Sequence, residues 1–200
     1  MRTIGPEPSG ATPIDDEDLA GLIPDFVANR ADLNQVEFEN ITKALPWAHH
    51  QARSAGPDGV LSYGFMLDLH RRMFGDVWTW SGTLRKRTTN IGVDPSQIST
   101  QARLLFDDAR HWHKESVFGA DELAARIHGR LVSVHPFPDG NGRSTRLMAD
   151  LYLMAIGFPT FTWGLSRLDE EDAGRAAYIR GLVVAVESDD YSELVRFARG

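Results

Sequence analysis

The sequence predicts a mainly α-helical fold with one β-hairpin. Over most of the chain, apolar residues return every three or four positions, which is the spacing of amphipathic helices. Residues 80–93 instead combine glycine with threonine and β-branched residues, a composition typical of a hairpin. Residues 147–156 are almost wholly apolar, which indicates a buried helix. We therefore expect a helical bundle around this central helix.

The first half of the chain predicts two helices after a flexible start. Residues 1–13 hold three prolines and two glycines, and we expect a flexible lead-in to a single domain that spans residues 14–200. Asp32 can cap a helix that Pro46 is expected to bend or restart. Ser62 can cap the next helix. The expected buried face of that helix consists of Phe65, Met66, Leu69 and Phe74.

The second half predicts helices on both sides of the central one. Helical spacing runs from 95 to about 114, and again to about 134 after Asp121, which can act as a cap. Gly157 is expected to stop the central helix. Acidic residues 169–172 favour the start of a later helix, because its dipole attracts carboxylates there. The face of this helix expected to pack on the central helix consists of Ala176, Ile179, Leu182, Val183 and Val186.

Composition argues against several classes of protein. The chain has 28 acidic and 21 basic residues and a formal charge of −7, which disfavours a surface for direct nucleic-acid binding. It has no cysteine, so disulfides and thiolate metal sites are impossible. No stretch of 18 apolar residues occurs, which argues against a membrane span. We expect a soluble, cytoplasmic protein without a membrane partner.

Residues 135–146 read HPFPDGNGRSTR and predict a polyphosphate site. Gly140 and Gly142 let main-chain N–H groups converge on an anion, and a helix beginning just after Gly140 presents its first-turn N–H groups to the same place. Arg143 and Arg146 lie three positions apart and are neighbours on that helix. Guanidinium groups bind phosphate oxygens in a fork geometry, so the pair suits a di- or triphosphate.

Two further residues of this stretch add chemistry. Asp139 supplies the oxygen ligand that Mg²⁺ prefers, and one carboxylate suffices when phosphates and waters complete the octahedron. His135 follows an apolar helix end and is expected at the mouth of the pocket, where neutral imidazole can take a proton from a hydroxyl. The sequence lacks the lysine of a P-loop, the last glycine of a dinucleotide fingerprint and the glycine of an EF-hand.

Residues 135–146 resemble the Fic motif, HPFx(D/E)GNGRxxR, at all nine specified positions. The similarity extends to residues 80–92, which look like the family's target-positioning hairpin, the flap, and to 175–182, which resemble its closing helix. In length and opening segment the chain is most similar to the small Fic proteins called mobile mystery protein B. The resemblance implies a Fic fold over about residues 14–199. The flap residues expected to position a target are Thr88, Thr89, Asn90, Ile91 and Gly92.

The resemblance also implies an activity and residue roles. Fic proteins transfer a nucleoside monophosphate, usually the AMP of ATP, to a Ser, Thr or Tyr hydroxyl of a target protein and release pyrophosphate. By position, His135 would be the base and Asp139 would hold Mg²⁺. The inner phosphates would be bound by Arg143 and the γ-phosphate by Arg146. The implied anion hole consists of Asn141 and the amides of Gly140 and Gly142.

Two alternatives to adenylylation stay open. One is Fic-type transfer with another nucleotide or with phosphocholine, and the other is a non-catalytic nucleotide-binding module of a toxin–antitoxin-like pair, with an antitoxin-like partner.

The resemblance also raises a question of regulation. Many Fic proteins carry an inhibitory segment, (S/T)xxxE(G/N), whose glutamate pairs with the second motif arginine. Residues 35–40 fit this pattern at Glu39 and Asn40, but Gln35 replaces the hydroxyl residue. Glu39 is thus an inhibitory candidate or part of a solvated helix face.

Three residue choices outside the motif are also made from the sequence. The basic run Arg85-Lys86-Arg87 is expected to hold a target segment rather than nucleic acid. Tyr178 is expected either to line the nucleotide-base pocket or to lie in the core. His128 is expected either to support His135 or to be a satisfied core histidine.

Overall fold

A computed structural model describes residues 14–164 and 171–200, and this part of the chain is mainly helical. Its β-type pairing is limited to an isolated antiparallel bridge between Leu22 and Trp78. None of the helices described is long and apolar enough to cross a membrane. A 3₁₀ turn covers Pro95–Gln97. The α-helices are α1 (Asp16–Leu19), α2 (Arg30–Val60), α3 (Tyr63–Phe74), α4 (Ile98–Lys114), α5 (Ala120–Val134), α6 (Asn141–Ala155), α7 (Glu171–Ser188) and α8 (Ser192–Arg199).

The central helix is α6, as its apolar sequence predicts. Helices α2 and α5 both pack against it, α3 packs on α2 and α6, and α4 packs on α5. Met148, Leu151 and Leu153 of α6 are buried in the main core. Burial of each such side chain contributes about 1.5–3 kcal/mol. Gly157 follows the end of α6 with a φ of +75°, which confirms it as the stop.

Two of the three predicted helix caps are wrong. Asn29 caps α2: its Oδ1 accepts a hydrogen bond from the Asp32 N–H at 3.0 Å, and the Asp32 carboxylate accepts one from the Asn29 N–H at 3.2 Å. Asp32 is therefore the third residue of a capping box. Helix α5 begins after Gly119, which leaves Asp121 in the first turn. Ser62 is confirmed as the cap of α3, because its Oγ accepts from the Phe65 N–H at 3.2 Å.

Helix α2 continues through Pro46, so the predicted restart there is wrong. Within its span, non-helical dihedral angles occur at Gly56, whose φ is +64°, and Pro57 follows. Proline removes one hydrogen bond, but Ala44 and Ala48 on either side of Pro46 are buried in the core. The helix is therefore continuous across the proline, and the chain turns at the Gly-Pro pair instead.

The predicted packing of α7 on the central helix is also wrong. Helix α7 packs on α5 and α8, because α2 and α5 already cover α6. Val183 and Val186 are about half exposed, whereas Ala185 is buried with Tyr191 in a second, smaller cluster. The expectations for residues 1–13 and for the acidic start at 169–170 fall outside the described residues.

The predicted hairpin at residues 80–93 does not form. This segment is an irregular loop, because its hydrogen-bonding groups pair with other partners. The Arg85 N–H donates to the Pro136 carbonyl at 2.9 Å, and the Val93 N–H donates to the Val134 carbonyl at 3.4 Å. The buried Arg85 guanidinium donates to the carbonyls of Arg87 at 2.7 Å and Val93 at 2.5 Å. The Arg85 side chain therefore supplies hydrogen bonds to loop carbonyls that cross-strand pairing would supply in a hairpin.

We expect Arg85→Lys to lower the free energy of unfolding by at least about 2 kcal/mol. A lysine keeps the charge but cannot reach several carbonyls at once, and each hydrogen bond to a charged group contributes about 1.5–3 kcal/mol. Urea unfolding measures the change. Lys86→Ala, at the exposed neighbouring position, is the control and should leave stability within about 0.5 kcal/mol. An Arg85→Lys protein as stable as the original would contradict this account of the loop.

Candidate active site

The turn between α5 and α6 carries the site, and two left-handed residues shape it. His135 ends α5 with a φ of +51° and donates its N–H to the Leu131 carbonyl at 2.9 Å. Gly140 precedes α6 with a φ of +75°. A Cβ at Gly140 would lie 2.6 Å from the Phe74 ring, so this position requires glycine both for its backbone angle and for space.

The Asn141 side chain braces this turn. Its Oδ1 accepts from the Phe137 N–H at 2.9 Å, and its Nδ2 donates to the Phe137 carbonyl at 2.8 Å. The Asn141 side chain therefore makes two hydrogen bonds within the loop, and its implied role in an anion hole stays a prediction. The first-turn N–H groups of an α-helix have no acceptor one turn earlier, so the start of α6, which includes Gly142, is suited to bind an anion.

His135 lies beside the loop that replaced the hairpin. Its imidazole is buried, and burial followed by the charge of Arg85 lowers its pKa to about 4. It is therefore neutral at pH 7 and able to accept a proton. Of the expected flap residues, Gly92 lies against His135: a Cβ there would lie 2.7 Å from the His135 Cβ. The exposed flap residues are Thr88, Asn90, Ile91 and Gly92, and Thr89 is half-buried.

Glu37 of α2 enters the motif and binds Arg143. Its Oε2 lies 2.5 Å from the Arg143 Nη1, and its Oε1 accepts from the Trp78 Nε1 at 2.7 Å. Asp139 lies 3.3 Å from the other Nη of Arg143. Glu37 is 1% exposed, and burial raises the pKa of its carboxyl while Arg143 opposes that rise. The Arg143 guanidinium is thus paired with the carboxylates of Glu37 and Asp139, although the family resemblance implies that it binds phosphate.

The structure brings Glu37, and not Glu39, to the motif. Glu39 lies on the exposed face of α2 and accepts a hydrogen bond from the Gln35 Nε2 at 2.8 Å. The sequence does carry a signal for Glu37. Leu33, Glu37, Asn40 and Ala44 recur at helical spacing and are all buried. A carboxylate on such an apolar face needs a charged partner, and Arg143 supplies it.

Arg146 belongs to a second set of contacts, which includes helix α7. Its guanidinium carbon lies 5.5 Å from the ring centroid of Tyr178. The Tyr178 hydroxyl lies 3.0 Å from Nε2 of the fully buried His128. Tyr178 therefore touches the arginine expected at the γ-phosphate, and His128 supports Tyr178 and not His135. The two arginines of the motif are held by different elements, α2 and α7.

The basic run at residues 85–87 does not form one target-binding tip. Arg85 is buried against the His135 turn, where its Nε donates to the His135 carbonyl at 2.6 Å. Arg87 pairs with Asp15 at 2.6 Å and with Asp18, which ties the loop to helix α1. Of the three basic residues, Lys86 alone is exposed. The expectation that all three hold a target is therefore wrong.

Asp139 fits a magnesium ion that is bound mainly by phosphates. In residues 14–164 and 171–200, no group of three or more histidine or carboxylate side chains is arranged to hold a metal. An all-protein metal cage is thus not formed by these residues. Mg²⁺ needs only one or two carboxylates when a nucleotide supplies oxygen ligands, and the partly exposed Asp139 carboxylate meets that requirement.

Three buried histidines make stability depend on pH. Burial lowers the pKa of His70 and of His128 to about 3, and that of His135 to about 4. In the unfolded chain these groups titrate near 6.5, so the unfolded state binds more protons below that pH. Their contribution to the free energy of unfolding is complete above about pH 6.5. It decreases as the pH is lowered below that value, by up to about 1.4 kcal/mol per pH unit for each histidine. Asp150 offsets one of them, because burial raises its pKa to about 6.

We therefore expect the free energy of unfolding to fall steeply between pH 7 and pH 5. Urea unfolding at three pH values measures the slope. His128→Gln should reduce the slope of the free energy of unfolding against pH by about 1.4 kcal/mol per unit, which is the contribution of one proton. His111→Gln, on the exposed face of α4, should leave the slope unchanged. A stability that is constant over this range would contradict neutral, buried histidines.

Comparison with known proteins shows the family of this chain. The model of the Fic/DOC family matches residues 60–153. The probable protein adenylyltransferase y4lH of Sinorhizobium fredii is 32% identical over 144 residues, which are 66% of this chain and 70% of that protein. This chain belongs to the Fic/DOC family. The resemblance of residues 135–146 to the Fic motif is thereby confirmed, while the likeness to mobile mystery protein B stays a prediction.

The Fic fold is also shared with a solved structure. BepC from Bartonella tribocorum, with bound AMPPNP, has a TM-score of 0.64 at 15% identity, over 86% of this chain and 87% of that chain. Protein adenylyltransferase fic-1 of Caenorhabditis elegans is 36% identical over 107 residues, which are 50% of this chain and 20% of that protein. The Fic chain described here thus matches about a fifth of the length of that relative.

Proposed function

We propose that this Fic protein is a protein adenylyltransferase that transfers AMP from ATP to a Ser, Thr or Tyr hydroxyl of a target protein. The observation that carries the proposal is a neutral His135 beside the N-terminus of α6, which bears Arg143 and Arg146. The relatives y4lH and fic-1 are named as adenylyltransferases, and BepC binds AMPPNP, which supports ATP as the donor.

In this reaction the hydroxyl oxygen of the target bonds to the α-phosphorus, and the bond from that phosphorus to the bridging oxygen breaks. Because the His135 Nδ1 is buried, Nε2 is the nitrogen that takes the hydroxyl proton. Pyrophosphate leaves with the negative charge. The first-turn N–H groups of α6 and the two arginines hold the phosphates in line.

Asp139 would hold Mg²⁺, which neutralises phosphate charge when bound. Phosphoryl transfer depends mainly on positioning and on charge stabilisation, so a short motif can supply both. The exposed flap residues next to Gly92 would hold an extended target segment, because Gly92 packs against His135. The antitoxin-like partner stays a prediction from the family resemblance.

Labelled nucleotides test this proposal. The protein is incubated with a cell lysate and Mg²⁺, with ATP labelled at either the α or the γ phosphate. We expect a labelled protein band from α-labelled ATP and none from γ-labelled ATP, because pyrophosphate leaves. A band from the γ label alone would indicate kinase activity and would sink the proposal. Parallel reactions with α-labelled GTP, CTP and UTP, and with labelled CDP-choline, test the other donors; a stronger signal there would favour that transfer.

We also propose that Glu37 inhibits this site. Nucleotide phosphates and the Glu37 carboxylate compete for the same guanidinium of Arg143, which lies 2.5 Å from that carboxylate. Trp78 holds the second carboxylate oxygen, so Glu37 is fixed from both sides. The position differs from the family pattern, in which the inhibitory glutamate pairs with the second motif arginine.

A further inference from the structure

His70 of α3 is buried where the two loops of the site meet. One loop is the motif turn that ends at Gly140, and the other begins at Gly82 and returns to the site at Gly92. His70 is fully buried and forms a hydrogen bond with each loop. No local sequence pattern indicates this role, because His70 lies 69 positions from Asp139.

The two hydrogen bonds define the protonation state of the ring. The Gly82 N–H donates to Nδ1 at 2.9 Å, so Nδ1 is an acceptor and carries no hydrogen. The hydrogen is then on Nε2, which lies 3.0 Å from the carbonyl oxygen of Asp139 and donates to it. No other side chain has an acceptor and a donor at this separation on a rigid ring. A main-chain donor and a main-chain acceptor thus select one tautomer.

Aromatic packing fixes the ring in place. The Phe137 ring stacks on His70 with centroids 3.7 Å apart and an interplanar angle of 21°, and the Phe74 centroid lies at 4.7 Å. A Cβ on Gly140 would lie 3.3 Å from the His70 Nε2. The imidazole therefore has no room to rotate, and its two hydrogen bonds set the spacing of the loops that it joins.

We propose that His70 is a positioning residue that holds Asp139 and the Gly82–Gly92 loop at a fixed spacing. Asp139 is the residue proposed to hold Mg²⁺ beside the nucleotide, and Gly92 packs against His135 itself. A shift of either loop would misalign donor and target. The spacing that His70 holds does not depend on the proposed function, whereas the effect of that spacing on catalysis rests on it.

Three substitutions separate the two hydrogen bonds. Asn can place an acceptor near the Nδ1 position, so His70→Asn keeps the bond from Gly82 and loses the one to Asp139. Gln can place a donor near the Nε2 position, so His70→Gln does the reverse. His70→Phe keeps the aromatic stack and loses both bonds. A role limited to packing would make the Phe variant the mildest of the three.

Hydrogen exchange at the Gly82 amide and ATP binding give readouts that do not require catalysis. We expect the Gly82 amide to exchange at least about tenfold faster in the Gln and Phe variants than in the original and the Asn variant. We expect ATP affinity to fall by up to about tenfold in the Asn and Phe variants, while Gln retains it. For adenylylation, Gln should raise the KM for the target and Asn should raise the KM for ATP.

Several results would overturn the inference. One is a His70→Phe protein that matches the original in both readouts, and another is equal loss of both in the Asn and Gln variants. If the variants do not fold, the ¹⁵N spectrum of the original protein decides, since a hydrogen on Nδ1 of His70 would contradict the assigned tautomer. If the exchange pattern holds while the original protein transfers no AMP, the proposed function fails and the positioning role of His70 stands.

Discussion

His135→Ala should lower protein labelling by α-labelled ATP at least about 100-fold while leaving ATP binding within a few-fold of the original. A positioned general base contributes roughly 10²–10⁴-fold to the rate, and alanine cannot accept the proton. The groups expected to bind phosphate are Arg143, Arg146 and the first-turn N–H groups of α6. None of them belongs to the imidazole, so the binding of the nucleotide should survive.

Labelling by α-labelled ATP and calorimetric binding of ATP are measured on the same preparations of the original protein and of His135→Ala. His111→Ala, on the exposed face of α4, is the matched control and should label like the original protein. Thermal unfolding checks that the turn still forms. The left-handed φ of His135 is held by its N–H, which donates to the Leu131 carbonyl, and by its carbonyl, which accepts from the Arg85 Nε, and alanine keeps both groups. Equal labelling by the original and the Ala variant would exclude His135 as the base.

Glu37→Gln should raise ATP affinity by roughly 10- to 100-fold and increase adenylylation. A hydrogen bond between charged groups contributes about 1.5–3 kcal/mol, and the nucleotide must displace that bond from Arg143. Glutamine has nearly the same shape and can still accept from Trp78, but it carries no charge to compete with phosphate. Asp139 remains near Arg143 at 3.3 Å, so the arginine keeps one carboxylate.

Glu39→Gln is the control for this effect. Glu39 lies two residues further along α2 on the exposed face, where its carboxylate accepts a hydrogen bond from Gln35. Calorimetric titration with Mg·ATP and labelling with α-labelled ATP are measured on both variants. A gain in Glu39→Gln with none in Glu37→Gln would restore the interpretation taken from the sequence pattern. No gain in either variant would remove self-inhibition through this segment.

Much of the helical architecture could be predicted, because it depends on local periodicity. The central helix, the helix capped by Ser62 and the stop at Gly157 follow from residues only a few positions apart. The errors at Asp32 and Pro46 arose where two local signals compete. Asn29 and Asp32 can both cap a helix, and only their reciprocal hydrogen bonds decide which residue comes first.

The candidate site likewise has one part that could be predicted from the sequence and one part that could not. Its chemical groups could be predicted from residues 135–146, because twelve consecutive residues carry the proposed base, the carboxylate, the glycines and both arginines. Their partners could not be identified. Glu37 and His70 lie about 106 and 69 positions from the groups that they contact, and no local pattern encodes such pairs.

The amino-acid sequence thus determined the helices and the inventory of reactive groups, since both depend on neighbours along the chain. Only the tertiary structure decided which contacts those groups make. Arg85 replaced a hairpin with side-chain hydrogen bonds, α2 placed Glu37 and not Glu39 on Arg143, and α3 placed His70 between the two loops. The physical reason is that a buried charge or imidazole must find its partner wherever packing brings one within hydrogen-bonding distance.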